Sequence, residues 1–234
     1  VRGRLDPETL ESVLRLLIAR HESFRTCFLL VNDTPVQRVL PPEQAPFVLE
    51  RYDGTSANID RVLQPRPFNL ERAPLLRAAL VTPGDGGEHI LLVDTHHIVS
   101  DGMSYTVFVR ELRALYAGDP LPLPAFRYRD FASWQRQRGG EAFKEHAAYW
   151  REKYTGGVPR LRLPYDFPPP AQPGYAGNLY THALEPQREE RLRHFLSEEA
   201  VTPFMALLAV YIVVLAKWSG QEDIVVGIPV SGRS

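Results

Sequence analysis

The sequence predicts an α/β fold, in which helices and strands alternate along the chain and pack in layers. Apolar residues recur at helical spacing in several segments, as at Leu10, Val13 and Leu14. Between these segments stand short runs rich in Val, Leu and Ile, such as 88–97, which are typical of strands. The composition is that of a globular chain, since 44% of the 234 residues are hydrophobic and 24% are charged. We therefore expect one large or two modest α/β units.

The first half of the chain begins with a helix and continues with strands. Asp6 is a good helix N-cap and Pro7 suits the first helical position, so the first helix starts here. The predicted strands are 25–31, 35–40, 47–53, 75–83 and 88–97, with a turn at 32–35, a short helix at 57–63 and a hairpin loop at 84–87.

The second half is rich in helices and contains one long break. A helix starts near Gly102 and ends before Gly118, which supplies a stop signal. Segment 156–177 holds six prolines and four glycines, a composition that excludes helices and central strands. The run 204–216 is almost wholly apolar, which predicts a buried helix with its cap at Thr202. The other elements predicted here are helices at 128–137, 141–154 and 187–198 and strands at 178–184 and 223–230.

The charge balance and the cysteine count exclude several classes of function. Lys plus Arg total 27 against 28 Asp plus Glu, so no excess charge points to nucleic acid or to an anionic membrane. The longest apolar run, 204–216, is too short to span a bilayer. Cys27 is the only cysteine, which rules out an intrachain disulfide framework and cysteine-rich zinc sites. A single thiol fits a reducing compartment, and we expect a cytoplasmic protein.

Both ends of the sequence look like cuts. The first residues lack an initiator Met and an apolar signal segment, and the last residues form no cap or tail. We expect the sequence to be a fragment of a longer protein.

The stretch DTHHIVSDGMS at 94–104 is the strongest candidate for a functional site. Neighbouring residues of a strand point to opposite faces, so His96 and His97 cannot both bind one metal if the strand continues through them. A serine hydrolase lacks support, because no G-x-S-x-G turn surrounds the two serines of this stretch. A single histidine, acting as a base or as a hydrogen-bond partner, is what remains.

His97 has the better position of the two for chemistry. It would lie where a strand gives way to a loop, and imidazole can take a proton near neutral pH. The helix that starts near Gly102 supplies free backbone N–H groups for a developing oxyanion, and glycine lets a substrate approach them. Asp101, if buried, needs a cationic partner. The alternative is structural, because a lone histidine at a strand end usually belongs to the scaffold, as we expect for His96.

Four motifs together resemble the condensation domains of nonribosomal peptide synthetases. HHIVSDG at 96–102 is similar to the family's His-His-x-x-x-Asp-Gly signature. RHESFRTCF at 20–28 is similar to its Arg-His-Glu-x-Leu-Arg-Thr-x-Phe motif, with Phe24 in the Leu place. YRDFASW at 128–134 resembles the Tyr-x-Asp-Phe/Tyr-Ala-x-Trp motif, and VGIPVSGR at 226–233 the Ile/Val-Gly-x-Pro-x-x-x-Arg motif. The motifs stand in the family's order and cover nearly the whole chain.

The resemblance implies a fold and its division into lobes. The expected fold is α/β, an α+β sandwich like that of chloramphenicol acetyltransferase, built from two lobes with the active site between them. Residues 1–160 would form the N-terminal lobe, 161–177 a linker rich in Pro and Gly, and 178–234 the start of a truncated C-terminal lobe. Because the cleft needs both lobes, we expect the isolated chain to be inactive.

The resemblance also implies the chemistry, which is peptide-bond formation between a donor acyl or peptidyl thioester and the amine of an acceptor aminoacyl thioester. Donor and acceptor peptidyl carrier proteins would present both substrates on phosphopantetheine arms, beside an adenylation domain, and no cofactor would be bound. His97 would be the catalytic histidine, as base or as a group that positions the amine, with the Gly102 amide beside it. His96, Asp101 and Arg25 would be structural.

Other motif residues are expected to serve the scaffold. Asp101 would pair with Arg25, or else with Arg20. The remaining motif residues expected to pack rather than react are Tyr128, Asp130, Trp134 and Arg233.

Two rival functions remain open at the level of the sequence. One is a coenzyme A-dependent or carrier-dependent acyltransferase of the same fold, which would share the histidine signature but not usually the motifs at 20–28 and 128–134. The other is a catalytically silent condensation-like docking domain, which tends to lose the histidine or the aspartate. The residues of the motifs favour a domain that joins two L-configured amino acids.

Overall fold

A computed structural model describes residues 5–54, 62, 64, 66–82, 88–168, 170–172, 174 and 177–230 of the chain. These fall into two compact units, Val1–Phe143 and Lys144–Ser234. The lobe and linker boundaries expected from the sequence, near residues 160 and 177, stay a prediction.

The first unit opens with helix α1, Pro7–Arg20. The Asp6 carboxylate accepts a hydrogen bond from the Thr9 N–H at 2.9 Å, which is the N-cap that the sequence predicts. One face of α1 is buried in the core through Leu10, Val13, Leu14, Leu17 and Ile18. A 3₁₀ turn, Glu22–Arg25, leads from α1 to the first strand.

A hairpin follows, formed by antiparallel strands β1, Thr26–Val31, and β2, Thr34–Val39. Asn32 and Asp33 between them have φ angles of 50° and 59°. A two-residue hairpin turn needs this left-handed backbone, and Asn and Asp tolerate it well. The predicted turn at 32–35 is therefore confirmed.

A three-stranded sheet carries the chain toward the candidate site. Its strands are β3, Glu50–Asp53, β4, Leu76–Thr82, and β5, Ile90–Thr95. β4 is central, with β3 parallel and β5 antiparallel to it. Two strands are shorter than the runs predicted at 47–53 and 88–97. The predicted helix at 57–63 and the loop at 84–87 fall almost wholly outside the described residues.

Helix α2, Gly102–Ala117, packs against α1 over the sheet. Phe108 enters the same core cluster as Leu14 and Leu80, and partly buried Leu112 packs against that cluster. The helix ends at Gly118, whose φ of 85° is the left-handed C-cap predicted from the sequence.

Helix α3, Tyr128–Lys153, is one continuous helix of 26 residues. The sequence predicted two helices, at 128–137 and 141–154, which leave Gly139 and Gly140 between them. That division is wrong. Glycine keeps its backbone N–H, so it lowers helical stability without removing a hydrogen bond, unlike proline.

We expect Gly140→Ala to raise the free energy of unfolding by about 0.5–1 kcal/mol, because alanine favours the helix interior more than glycine does. A Cβ at Gly140 meets nothing within 4 Å among the described residues. Urea denaturation followed by circular dichroism would measure the change. Gly139→Ala is the matched comparison, because a Cβ at this position would lie 3.0 Å from the Phe143 ring. We therefore expect this substitution to raise the free energy of unfolding by less than Gly140→Ala does. Equal gains at both positions would contradict this reading.

The second unit contains two further helices, α4, Pro186–Glu198, and α5, Pro203–Ser219. The Thr202 side chain accepts a hydrogen bond from the Met205 N–H at 3.2 Å and caps α5, as predicted. The strands predicted at 178–184 and 223–230 are wrong, since both segments are irregular throughout their described length. A strand needs a neighbouring strand for its backbone hydrogen bonds, and neither segment pairs with another described strand.

The apolar helix α5 is not the buried helix that the sequence predicted. Leu215 is its one buried residue, while Val210 is 61% and Trp218 67% exposed. The apolar composition therefore predicted the helix correctly and its burial wrongly. Within the described ranges, no single helix is long and apolar enough to cross a membrane, and α4 with α5 meets that test only as a pair bent by 107°.

Candidate active site

The loop between β5 and α2, residues 96–101, is here called the histidine loop. β5 ends at Thr95, so both histidines lie beyond the strand. The His96 N–H donates a hydrogen bond to the Leu75 carbonyl at 3.1 Å, and the Val99 N–H donates to the His96 carbonyl at 3.0 Å. These two bonds join the start of the loop to the residue before β4 and close it into a turn.

Three hydroxyl groups join the histidine loop to the helix that follows it. The Thr95 Oγ1 lies 2.7 Å from the Ser100 Oγ and 2.7 Å from the Tyr105 Oη. The Ser100 hydroxyl also donates to the His96 carbonyl at 3.3 Å. The strand end, the loop and the first turn of α2 thus share one hydrogen-bonded group.

Asp101 caps helix α2. Its carboxylate accepts hydrogen bonds from the Ser104 N–H at 2.8 Å and the Ser104 hydroxyl at 2.7 Å, while the Asp101 N–H donates to that hydroxyl at 3.1 Å. This reciprocal pair is a capping box, and it fixes where the helix begins.

The pairing of Asp101 with Arg25 stays a prediction. Arg25 donates hydrogen bonds to the carbonyls of Ala19 and Leu40, and it lies 3.7 Å from Glu22. The alternative, Arg20, is bonded to Glu111 on α2. These contacts of Arg25 lie at and around the 3₁₀ turn.

We expect Asp101→Ala to lower the free energy of unfolding by about 1–2 kcal/mol, because the first turn of α2 loses its cap. Asp101→Ser keeps a side-chain acceptor at the N-cap and should retain most of that stability. Thermal denaturation of the two variants would compare them. If the serine and alanine variants lose the same stability, Asp101 does not stabilise the fold through its N-cap.

His96 belongs to the scaffold of the loop. Its Nδ1 accepts a hydrogen bond from the Ile98 N–H at 3.0 Å, so the ring proton lies on Nε2 in this arrangement. Its ring meets the Phe68 ring edge to face, with 6.0 Å between centroids. The structural role expected for His96 stays a prediction.

His97 lies in the turn with its imidazole exposed. Within the described parts of the chain, no hydrogen bond or ion pair to this ring is recorded. The ring is therefore not packed inward, and its nitrogens are available to a substrate. Gly102, at the first position of α2, is also exposed, and a Cβ there would meet nothing within 4 Å among the described residues. The catalytic roles of both residues stay predictions.

A buried ion cluster joins the second motif to α2, and the sequence analysis missed it. The Glu111 carboxylate lies 2.6 Å from the His21 Nε2 and 3.0 Å from the Arg20 Nε. Burial raises the pKa of Glu111, but the hydrogen bonds from His21 and Arg20 outweigh it and hold that pKa below its usual value. A glutamate on the apolar face of a helix, beside Phe108 and Leu112, was the available signal, because a buried carboxylate requires a cation.

The second and third motifs also meet. The Glu22 carboxylate lies 2.9 Å from the Arg127 Nη1 and 3.4 Å from the Arg129 Nε. In the third motif, the Phe131 ring contacts the rings of Tyr128 and Trp134, at 6.1 Å and 5.7 Å between centroids. The packing role predicted for these aromatic residues remains a prediction.

The remaining candidates are Cys27, a metal site and Arg233. Cys27 is a free, buried thiol in β1, and its Sγ lies 3.5 Å from the Arg38 carbonyl oxygen. No group of three or more His, Cys, Asp or Glu that could hold a metal ion occurs in the described ranges. Arg233 lies outside the described residues.

Comparison with known sequences gives the family. The profile described as "Condensation domain" matches residues 1–234. The chain belongs to the condensation domain family. The resemblance inferred from the four motifs is confirmed.

Two curated synthetases contain segments similar to this condensation domain sequence. The chain is 39% identical over 237 residues to Gramicidin S synthase 2 of Brevibacillus brevis, covering 100% of this chain and 5% of that protein. It is also 39% identical over 237 residues to Surfactin synthase subunit 2 of Bacillus subtilis (strain 168), covering 100% of this chain and 6% of that protein. The chain therefore spans a small part of each relative.

Solved condensation domains share the fold. The first condensation domain of the calcium-dependent antibiotic synthetase, in complex with substrate analogue 2a, matches with a TM-score of 0.78 and 27% identity, over 99% of this chain and 56% of that one. The complex of the X-domain and OxyB from teicoplanin biosynthesis matches with a TM-score of 0.74 and 27% identity, over 94% of this chain and 51% of that one. The predicted α/β fold of chloramphenicol-acetyltransferase type is confirmed.

Proposed function

We propose that the condensation domain containing this chain forms an amide bond between two carrier-bound substrates. The donor is an acyl or peptidyl thioester, and the acceptor is the amine of an aminoacyl thioester. The observation that carries the proposal is the position of His97, exposed at the head of α2 on a loop held by its neighbours.

The reaction follows from these groups. The acceptor nitrogen attacks the thioester carbonyl carbon, so a C–N bond forms while the carbonyl electrons move to oxygen. When the carbonyl re-forms, the C–S bond breaks and the arm leaves as a thiol. The amine loses one proton and the sulfur gains one, and His97 is suited to carry it. The N–H of Gly102 is one donor suited to the transient oxyanion.

The partners follow from the chemistry of the substrates. Donor and acceptor peptidyl carrier proteins would supply the thioesters on phosphopantetheine arms, and a neighbouring adenylation domain would activate the amino acid. No cofactor bound to this domain is needed, because the thioester is already activated. The lone Cys27 suits a reducing cytoplasm as the place of action.

The proposal is tested by offering loaded carriers to the condensation domain within its synthetase and measuring the amide product by mass spectrometry. We expect product only when both carriers are loaded. Donor thioesters of coenzyme A, offered in place of the donor carrier, test the rival acyltransferase. Turnover with coenzyme A donors equal to that with loaded carriers would overturn the carrier-dependent proposal.

A silent docking domain is the second candidate, because the similar X-domain has been solved in complex with OxyB. Such a domain would bind a partner protein and make no product from loaded carriers. His97, Asp101 and Gly102 are all present here, which favours the enzyme.

We expect residues 1–234 alone to give no amide product with loaded carriers. The matching solved domains are nearly twice as long, and we infer that the substrate cleft needs the rest of the domain. Mass spectrometry of the reaction would check this result, with the longer domain as the control. Product from the 234-residue chain would show that it contains a complete site.

A further inference from the structure

Phe68 contacts two groups that the sequence does not bring together. The Arg77 guanidinium carbon stands 3.7 Å from the centroid of the Phe68 ring. The His96 ring meets the Phe68 ring at 6.0 Å between centroids with an interplanar angle of 89°. A cation over the face of a ring and an edge-to-face ring pair are both favourable geometries.

Arg77, the first group that Phe68 contacts, is anchored in the three-stranded sheet. Arg77 on β4 faces Asp94 on β5 across the ladder, and their side chains form an ion pair at 3.0 Å. The Arg77 guanidinium also donates a hydrogen bond to the Arg66 carbonyl. Arg66 in turn lies 3.0 Å from Glu50 on β3. The Arg77 guanidinium is therefore held by Asp94 and by the Arg66 carbonyl, and it offers Phe68 an anchored surface.

The His96 ring, the second group that Phe68 contacts, affects the backbone of the histidine loop. The His96 Nδ1 accepts the Ile98 N–H, which lies one residue beyond His97. That bond needs the imidazole in one rotation about its Cβ–Cγ bond, with Nδ1 toward the backbone. If the ring turned over, a carbon would face the Ile98 N–H and the bond would be lost. The position of the His97 backbone thus depends on the orientation of the neighbouring ring.

We infer that Phe68 is a positioning residue, which holds His96 in the orientation that fixes the backbone of His97. The inference rests on the proposed function for its effect on turnover, but not for its effect on the His96 ring. Phe68 acts through His96 and need not touch the substrate.

The test is Phe68→Leu in the condensation domain within its synthetase, compared with Phe68→Tyr. Leucine keeps apolar bulk but has no ring face, whereas tyrosine keeps the ring. We expect Phe68→Leu to lower kcat by about 10- to 100-fold, as small misplacements of a reacting group do, with KM for the loaded carriers unchanged. Phe68→Tyr should restore most of the activity. Phe167→Leu, at a phenylalanine that is 82% exposed, is the matched control and should leave turnover unchanged.

A second readout does not depend on turnover. Nitrogen NMR of selectively labelled histidine reports whether the His96 Nδ1 remains an unprotonated acceptor. We expect that signal to change in Phe68→Leu and to return in Phe68→Tyr. Unchanged His96 signals in a folded Phe68→Leu variant, or a tyrosine variant no better than leucine, would overturn the inference. If leucine prevents folding, Phe68→Met, whose unbranched and flexible side chain also has no ring, takes its place. Absence of amide product from the unsubstituted domain would count against the proposed function and leave the NMR result to decide the role of Phe68.

Discussion

Replacement of His97 by alanine is expected to lower amide formation by the condensation domain by about 10²–10⁴-fold, the range that a positioned general base supplies. The histidine loop is held by bonds from His96, Ser100 and Asp101, and none of those recorded involves the His97 ring. The substitution should therefore remove the imidazole and leave the loop intact. Single-turnover product formation with loaded carriers would measure the loss.

The control for this prediction is His146→Ala, which removes an exposed histidine of α3 and should leave turnover unchanged. The melting temperature of the His97 variant should match that of the unsubstituted domain. If His97→Ala forms product at the normal rate, the exposed imidazole has no role in the reaction. If the rate falls only together with the melting temperature, the histidine serves the fold.

Replacement of Glu111 by glutamine is expected to lower the free energy of unfolding by about 2–4 kcal/mol, because Arg20 and His21 lose the carboxylate between them in a poorly solvated site. The Glu111 side chain is only 8% exposed, and Arg20 is 15% exposed. Urea denaturation would measure the loss. Glutamine preserves the side-chain volume, so the measured change reports charge rather than a cavity.

The same variant should show a distinct pH dependence. The pKa of Glu111 is lowered in the folded chain, so its charged form stabilises the fold at pH values above the usual glutamate pKa of 4.5. That stabilisation is lost as the pH falls through the lowered value. The stability difference between the unsubstituted chain and Glu111→Gln should therefore shrink as the pH falls below about 5. Denaturation at several pH values would follow it.

An exposed pair of the same chemistry provides the control. Glu189 and Arg193 on α4 form an i,i+4 ion pair whose side chains are 50% and 76% exposed. Glu189→Gln should leave the free energy of unfolding nearly unchanged, since solvent screens such pairs. Similar losses at both glutamates would contradict the special position of Glu111.

The features predicted correctly from the sequence depend on short-range chemistry. The Asp6 and Thr202 caps, the Gly118 stop and the Asn32-Asp33 turn each need only a few neighbouring residues. The motif at 96–102 gave the place of the candidate site for a similar reason, because a strand end and a capped helix start are both local signals.

The errors concern contacts between distant residues. The sequence analysis named no partner for Glu111, and only the three-dimensional arrangement assigns Arg20 to it. Nothing in the spacing of Phe68 and His96 indicated that their rings meet. The strands predicted at 178–184 and 223–230 had suitable composition, but a strand forms only where another strand accepts its hydrogen bonds.

The bracing of the histidine loop has an entropic consequence for the ring it presents. Hydrogen bonds that involve the Leu75 carbonyl, the Ser104 N–H and the Ile98 N–H already hold the backbone around His97. Only the two side-chain torsions of His97 therefore remain to be restricted when a substrate binds. Ordering those torsions costs about 1 kcal/mol, whereas ordering the backbone of a free loop would cost about 1–2 kcal/mol for each residue. The fold has thus already met the larger part of the ordering cost before any substrate binds.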